Sequence, residues 1–583
     1  MTTYRSLSIG IAAAVLLTAC NAADKGTTNA GAGGTTVAAS GAGGAPDAGW
    51  PAYNNDPASQ RFSSLSQITT QNVASLKPVC ALRIGEEGSF ESGPIVVGDT
   101  MFVTTPHTTV ALNATNCTLI WRTVHQPKQK DVFPVNRGAA YLDGRVFRGT
   151  PDARLIAMDA KTGKVLWDVQ AGDPTVGEFL SSAPIAWNGT VFTGVAGSDW
   201  GIRGHMMAFD AATGKEKWRF YTIPMGNDPG ANTWKLPATA KRGGGAQWTS
   251  YTLDPKTAEL FIPVANPAPD YIPGSRPGDN LYTNSLVVLD ANTGQLKWYF
   301  QLTPHDGFDW DLGAAPLIYT ADDGTARVGM GSKDGYVYSV DRNSHQQKFQ
   351  TAVTTIDVPK TPPTPAGVHA CPGTLGGVEW NGPAYDPQTK MLYAGAVDWC
   401  AIYKAAQAPS YTAGQLYMGG SYSPGPSDTA SGWVTAMDAS TGAVKWKFHA
   451  PQPVVSGITP TAGGVVFAGG LAGNFFALDA SNGKVLLKYP TGGGIAGGII
   501  TYAVGGKQYV ATTSGNVSRT TFRTTGSPTV IIMALNAPAT PRRDSLPEVS
   551  PTVGGSSPTE HAQQGVAHGS PGDSLHQDTT RKP

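Results

Sequence analysis

Between residues 305 and 311 the chain reads His-Asp-Gly-Phe-Asp-Trp-Asp, which puts Asp306, Asp309 and Asp311 within six residues. Three carboxylates held that close are costly unless a cation or water stands among them, and hard cations take carboxylate and carbonyl oxygens. A carboxylate in such a group is also a candidate general base. A hydrated acidic loop is the plain alternative.

The elements that must position these residues are legible as a repeat. The stretch Ala157-Met-Asp-Ala-Lys-Thr-Gly-Lys-Val-Leu-Trp167 returns at 206–218, 286–298, 434–446 and 475–487, with worn copies at 110–121 and 337–349, seven in all. Self-similarity at this period marks a repeat architecture. Each copy alternates apolar residues, turns at Asp-x-x-Thr-Gly or a worn form of it and alternates again, the chemistry of a β-hairpin. The recurring Trp121, Trp167, Trp218, Trp298 and Trp446 are packing pegs between neighbouring repeats. Apolar runs between copies supply two more strands per unit, so the spacing predicts an all-β, eight-bladed β-propeller with four-stranded antiparallel blades. The eighth blade combines residues 531–536 with Trp50 and the strands after it, joining the two ends of the chain and removing two sheet edges.

The chain of 583 residues is charge-balanced, with 42 basic and 42 acidic residues and 72 glycines, which suits a turn-rich β protein. Without a basic footprint, no nucleic-acid partner is expected. Residues 1–20 read as a lipoprotein signal, with Arg5, an apolar run and Leu17-Thr-Ala-Cys20, implying export and a lipid anchor at Cys20. Residues 21–48 form a flexible Gly/Ala-rich tether and 541–583 a disordered Pro/Ser-rich tail, leaving 49–540 for the propeller. The expected place is the periplasmic face of a bacterial membrane, the outer one. Four cysteines remain after Cys20, and of three pairings the local one joins Cys80 to Cys117 and Cys371 to Cys400. No Cys-x-x-Cys-His run occurs, so no covalent haem is carried.

Several blocks, among them Trp50-Pro-Ala-Tyr-Asn-Asn-Asp56, Asn136-Arg-Gly-Ala-Ala-Tyr141, Gly278-Asp-Asn-Leu-Tyr-Thr283 and Gly506-Lys-Gln-Tyr-Val510, resemble quinoprotein alcohol dehydrogenases. The resemblance implies a pyrroloquinoline quinone (PQQ) cofactor and one Ca²⁺ or lanthanide ion. It implies oxidation of a small or polymeric alcohol, with electrons passed to a soluble or membrane cytochrome c. Carried over by motif, Glu91, Arg137, Ser181, Gly197, Ser198, Trp248 and Lys333 would contact the cofactor. Asp199, Asn266, Asp309 and Asp311 would hold the metal, with Asp309 the catalytic base. Asp311 matches an extra carboxylate of lanthanide-using members.

The chain departs from that family at four places. Asp131-Val132 stands where many members carry two adjacent cysteines, and Asp199 where they carry Glu. Ala196 replaces a hydroxyl, and Glu379-Trp380 replaces Asn-Trp. These changes resemble the branch with polyvinyl-alcohol-dehydrogenase-like proteins. The competing expectation is a non-catalytic outer-membrane β-propeller scaffold lipoprotein, which would share the repeat and the anchor but has no use for the acidic cluster.

Overall fold

The computed structural model describes residues 47–517, Phe522 and 524–538. The expected leader with Cys20, nearly all of the tether and the tail 541–583 lie outside the described residues.

Each repeat folds as the last two strands of a four-stranded antiparallel sheet. Arg154–Asp159 pairs with Val165–Gln170, His205–Asp210 with Glu216–Tyr221, and the other five copies pair likewise. The turn chemistry is local. Asp159 Oδ1 accepts from the backbone N–H of Lys161 (3.1 Å) and Thr162 (2.9 Å) and from the Thr162 hydroxyl (2.8 Å), and Gly163 takes φ 70°.

The tryptophans dock as expected. Trp121 Nε1 donates to Ala160 O (3.0 Å) in the next sheet, and its ring lies where a Cβ on Gly163 would come within 2.5 Å. Trp167 meets Gly214, Trp218 meets Gly294 and Trp446 meets Gly483 in the same way. The turn glycine therefore serves twice, accepting positive φ and clearing space for an indole. Trp298 meets a copy whose glycine has become His345, and the two rings stack instead, 4.3 Å apart and 11° from parallel.

Among the described residues there are eight four-stranded sheets and one of three strands. One four-stranded sheet joins the first and last strands of the described residues, in the order Leu76–Arg83, Thr529–Leu535, Lys507–Ser514, Ile499–Val504. Trp50 bridges Val96 in the following sheet rather than entering this one. At that junction a disulfide replaces the indole contact. Cys80 lies on the outer strand Leu76–Arg83 and bonds Cys117, which occupies the turn-glycine place at φ 60°. Cys371 and Cys400 form the second bond.

The three-stranded sheet, Val368–Ala370, Ala401–Ala405 and Gly420–Pro424, lies outside the repeat. Its Ala370, Ala401 and Tyr403 pack against Tyr271, Phe308 and Trp310, bracing the acidic stretch from one side.

Candidate active site

Strands in each sheet alternate in direction, so the entry to the first strand and the connection between the second and third lie at one end. The Asp-Thr-Gly turns lie at the other. Every residue singled out for chemistry sits at the first end. Asp199 lies between Thr190–Gly194 and His205–Asp210, Asn266 between Glu259–Val264 and Ser285–Asp290, and Lys333 between Ala326–Gly331 and Tyr336–Asp341. Arg137, Ser181, Asp309 and Asp311 precede the first strands of their sheets.

The glycine run before Trp248 threads between two of these connections. Gly244 N–H donates to Ile202 O (2.9 Å) and Gly245 N–H to Asn266 O (2.9 Å). A Cβ on Gly244 would fall 2.6 Å from Asn266 O, so a side chain here would force the connections apart. Close backbone approach thus brings Asp199, Trp248 and Asn266 together.

Their side chains form one bonded group. Trp248 Nε1 donates to Asp311 Oδ2 (2.9 Å), and Asn266 N–H donates to Asp311 Oδ1 (2.6 Å). Lys333 Nζ lies 3.1 Å from Asp309 Oδ2 and 3.5 Å from Asp311 Oδ2. Asn266 Nδ2 donates to Asp199 Oδ1 (3.1 Å) and to Asp270 Oδ1 (2.8 Å). Asp309 is held at φ 59°, a strained conformation for a non-glycine residue and one that clusters at functional sites.

Burial, then the charge of Asp311, pushes Asp199 up to about 6. Burial raises Asp309 well above the carboxylate range; Lys333 pulls it back, while Asp311 and Asp199 push it further up. Asp270 is raised in the same way, by burial and then by Asp199 and Asp309. Burial works against charge on Lys333, but Asp309, Asp311, Glu379 and Asp199 outweigh it and hold the ammonium well above its usual range. The group is a buried carboxylate cluster short of positive charge. A hard cation fits it, because Asp270 Oδ2 is buried with no hydrogen-bond partner.

The planar side of the site is equally defined. The Arg137 guanidinium lies 4.6 Å over the Trp248 ring and 4.9 Å over the Trp380 ring, and its Nη2 pairs with Glu91 Oε2 (2.8 Å). Arg137 Nη1 and Ser181 Oγ both donate to Trp248 O, at 3.2 and 2.9 Å. Ser198 Oγ accepts from Ala246 N–H (2.9 Å), and a Cβ on Gly197 would lie 2.2 Å from Gly177 O. Val132, Phe133 and Trp200 form an apolar wall with Phe179 and Trp248. Asp131 pairs with His107 (2.7 Å). Arg137 Nε is buried without a partner, which fits a flat anionic ligand.

One acid grouped with the cluster from sequence stands outside it, and two others join the site unassigned. Asp306 stands apart from the cluster, its carboxylate accepting from Phe308 and Trp310 N–H at 2.9 and 3.0 Å to shape the loop. Asp270 joins the cluster although nothing in its neighbourhood Asn-Pro-Ala-Pro-Asp marks it. Glu379, buried near Lys333 and Asp311 and pushed up to about 7 by that burial, adds a further acid to the rim.

The family profile described as glucose/ethanol/alcohol dehydrogenase, β-propeller domain, with PQQ as its short name, matches residues 50–347. A second profile, outer membrane protein assembly factor BamB, matches residues 430–528. The chain is similar to a lanthanide-dependent methanol dehydrogenase of Methylorubrum extorquens, 32% identical over 79% of this chain and 86% of that one. It is equally similar to the dehydrogenase subunit of a quinone alcohol dehydrogenase of Gluconobacter oxydans, 32% identical over 88% of this chain and 77% of that one. Among solved structures a europium-containing methanol dehydrogenase superposes with a TM-score of 0.78, at 29% identity over 84% of this chain and 98% of that one.

Proposed function

Since the chain belongs to the glucose/ethanol/alcohol dehydrogenase family of PQQ β-propellers, we propose that this cluster oxidises an alcohol to an aldehyde or ketone. The carrying observation is that Trp248, Asp311, Lys333, Asp309, Asn266 and Asp199 form one chain of polar contacts in a buried site. Bound PQQ supplies a two-electron acceptor, and a bound Ca²⁺ or lanthanide ion supplies Lewis-acid polarisation.

The chain's own residues do the rest. Trp248 and Arg137, with Ser181 fixing the Trp248 carbonyl, present the planar and cationic surface that orients the cofactor. Asp199, Asn266, Asp309 and Asp311 are the oxygen donors for the cation. Asp309 takes the hydroxyl proton of the alcohol at Oδ1, the oxygen not committed to Lys333. Lys333 fixes the other oxygen and balances part of the charge. Val132, Phe133, Phe179 and Trp200 exclude water beside Trp248.

With no haem motif in the chain, electrons pass to a separate cytochrome c, and the protein works from a lipid anchor at Cys20 on the periplasmic side. A scaffold role is the second possibility, favoured by the match of residues 430–528, but it leaves the buried aspartates without a purpose. Reconstitution with PQQ and either Ca²⁺ or La³⁺, followed by a dye-linked screen of primary, secondary and polymeric alcohols, tests the proposal. Tight PQQ binding with turnover of at least one alcohol is expected; absence of PQQ binding under both metals would overturn it.

A further inference from the structure

Asp199 stands where the family resemblance calls for a glutamate, so its carboxylate reaches one carbon less far toward a cation. A metal held by the remaining donors would lose an oxygen unless another residue supplied it. Asp270 has what that role requires. It is 1% exposed, and its Oδ1 accepts from the same Asn266 amide that bonds Asp199 Oδ1. One NH₂ group therefore holds both carboxylates, placing them within two hydrogen-bond lengths of each other.

The second Asp270 oxygen, Oδ2, is buried and meets no donor. Arg276, the nearest cation in sequence, spends its guanidinium on the carbonyls of Pro269, Asp270 and Asp306 and on Asn280 Oδ1, not on this carboxylate. A buried carboxylate oxygen without a donor is expensive in any fold. Its cost is removed if a cation binds there.

We propose that Asp270 is a further carboxylate ligand of the metal site, making up the reach lost at Asp199 and biasing the site toward a trivalent ion. The inference rests on the proposed PQQ–metal site. Asp199, Asp270, Asp309 and Asp311 carry four formal negative charges against one on Lys333, an excess that a trivalent ion neutralises and a divalent ion does not. For hard cations, affinity rises with the number of charged ligands. Asp270 then contributes more to lanthanide binding than to calcium binding.

The test is a titration of the cofactor-free full chain with Tb³⁺, read by luminescence sensitised through nearby tryptophans, with lifetimes in H₂O and D₂O counting bound waters. Asp270→Asn keeps an acceptor for Asn266 and removes only the charge. The expected result is a Kd for Tb³⁺ raised at least tenfold, one additional bound water, and a smaller loss of Ca²⁺ affinity. Should Asp270→Asn not fold, as judged by circular dichroism, Asp270→Ser also keeps an acceptor and the same readings apply. Unchanged Tb³⁺ affinity and water count, with Asp311→Asn clearly weakened, overturns the role of Asp270 and leaves the metal site standing. If wild type and Asp311→Asn bind Tb³⁺ equally, the metal site itself fails, and the assignment of Asp270 with it.

Discussion

Trp248 Nε1 donates to Asp311 Oδ2 at 2.9 Å, so the aromatic that lies beneath Arg137 and the acid beside Lys333 are one bonded unit. The planar half and the acidic half of the site are thereby held in fixed register. Replacing Trp248 by Phe keeps an aromatic face and removes the donor. A hydrogen bond to a charged group is worth about 1.5–3 kcal/mol, so kcat/KM should fall about ten- to hundredfold while PQQ absorbance is retained. Dye-linked kinetics and cofactor spectra measure both.

Asp309 is the residue placed to accept the substrate proton, and Asp309→Asn retains its shape and its contact with Lys333. General base catalysis contributes about 10²–10⁴-fold, which is the expected loss in kcat, with PQQ still bound. Unchanged turnover in the dye-linked assay would remove Asp309 from the mechanism.

His107 sits between Glu86 Oε1 (3.1 Å) and Asp131 Oδ2 (2.7 Å). Burial disfavours its charge, but hydrogen bonds to Asp131 and Glu86 outweigh that and raise it to about 9. Burial of Glu86 is likewise outweighed by its bond to His107, which draws it down to about 2. A raised histidine stabilises fully below its unfolded value of about 6.5 and loses that contribution as pH climbs to about 9. A lowered glutamate stabilises above about 4.5 and loses its contribution as pH falls toward 2. The stability difference between wild type and His107→Gln should therefore be largest near pH 5–6 and shrink by about 2 kcal/mol toward pH 9.5. Denaturant melts across that range check it.

Gly163 and Gly98 share nearly the same backbone, at φ 70° and 61°, but differ in surroundings. A Cβ on Gly163 meets the Trp121 ring at 2.5 Å, while one on Gly98 meets nothing within 4 Å. Gly98→Ala should cost only the left-handed strain of about 1 kcal/mol, and Gly163→Ala about 1–3 kcal/mol more through the displaced indole. Thermal melts of the two variants separate backbone strain from docking.

Much of the fold was legible because it is written locally and repeated. The Asp-x-x-Thr-Gly turn sets its own geometry through a carboxylate bonding backbone two and three residues on, and strand alternation follows from the period of two. The pegs at Trp121, Trp167, Trp218 and Trp446 were visible as a recurrence, although their target glycines were not. The stacking of Trp298 on His345 and the Cys80–Cys117 bond at the end junction show the same docking place filled by different chemistry.

By itself, the sequence determined the hairpins, their number, the pegs and the residue types available for chemistry, since each depends on neighbours a few positions apart. Only the tertiary structure decided which of those residues meet. Asp199 and Asn266 are joined across 67 positions and Trp248 and Asp311 across 63, while Asp306, three residues from Asp309, is excluded. Asp270 entered the cluster through a single amide contact with Asn266, in a segment without periodicity. Such contacts arise from how separate connections converge at one end of their sheets, and no local pattern encodes that convergence.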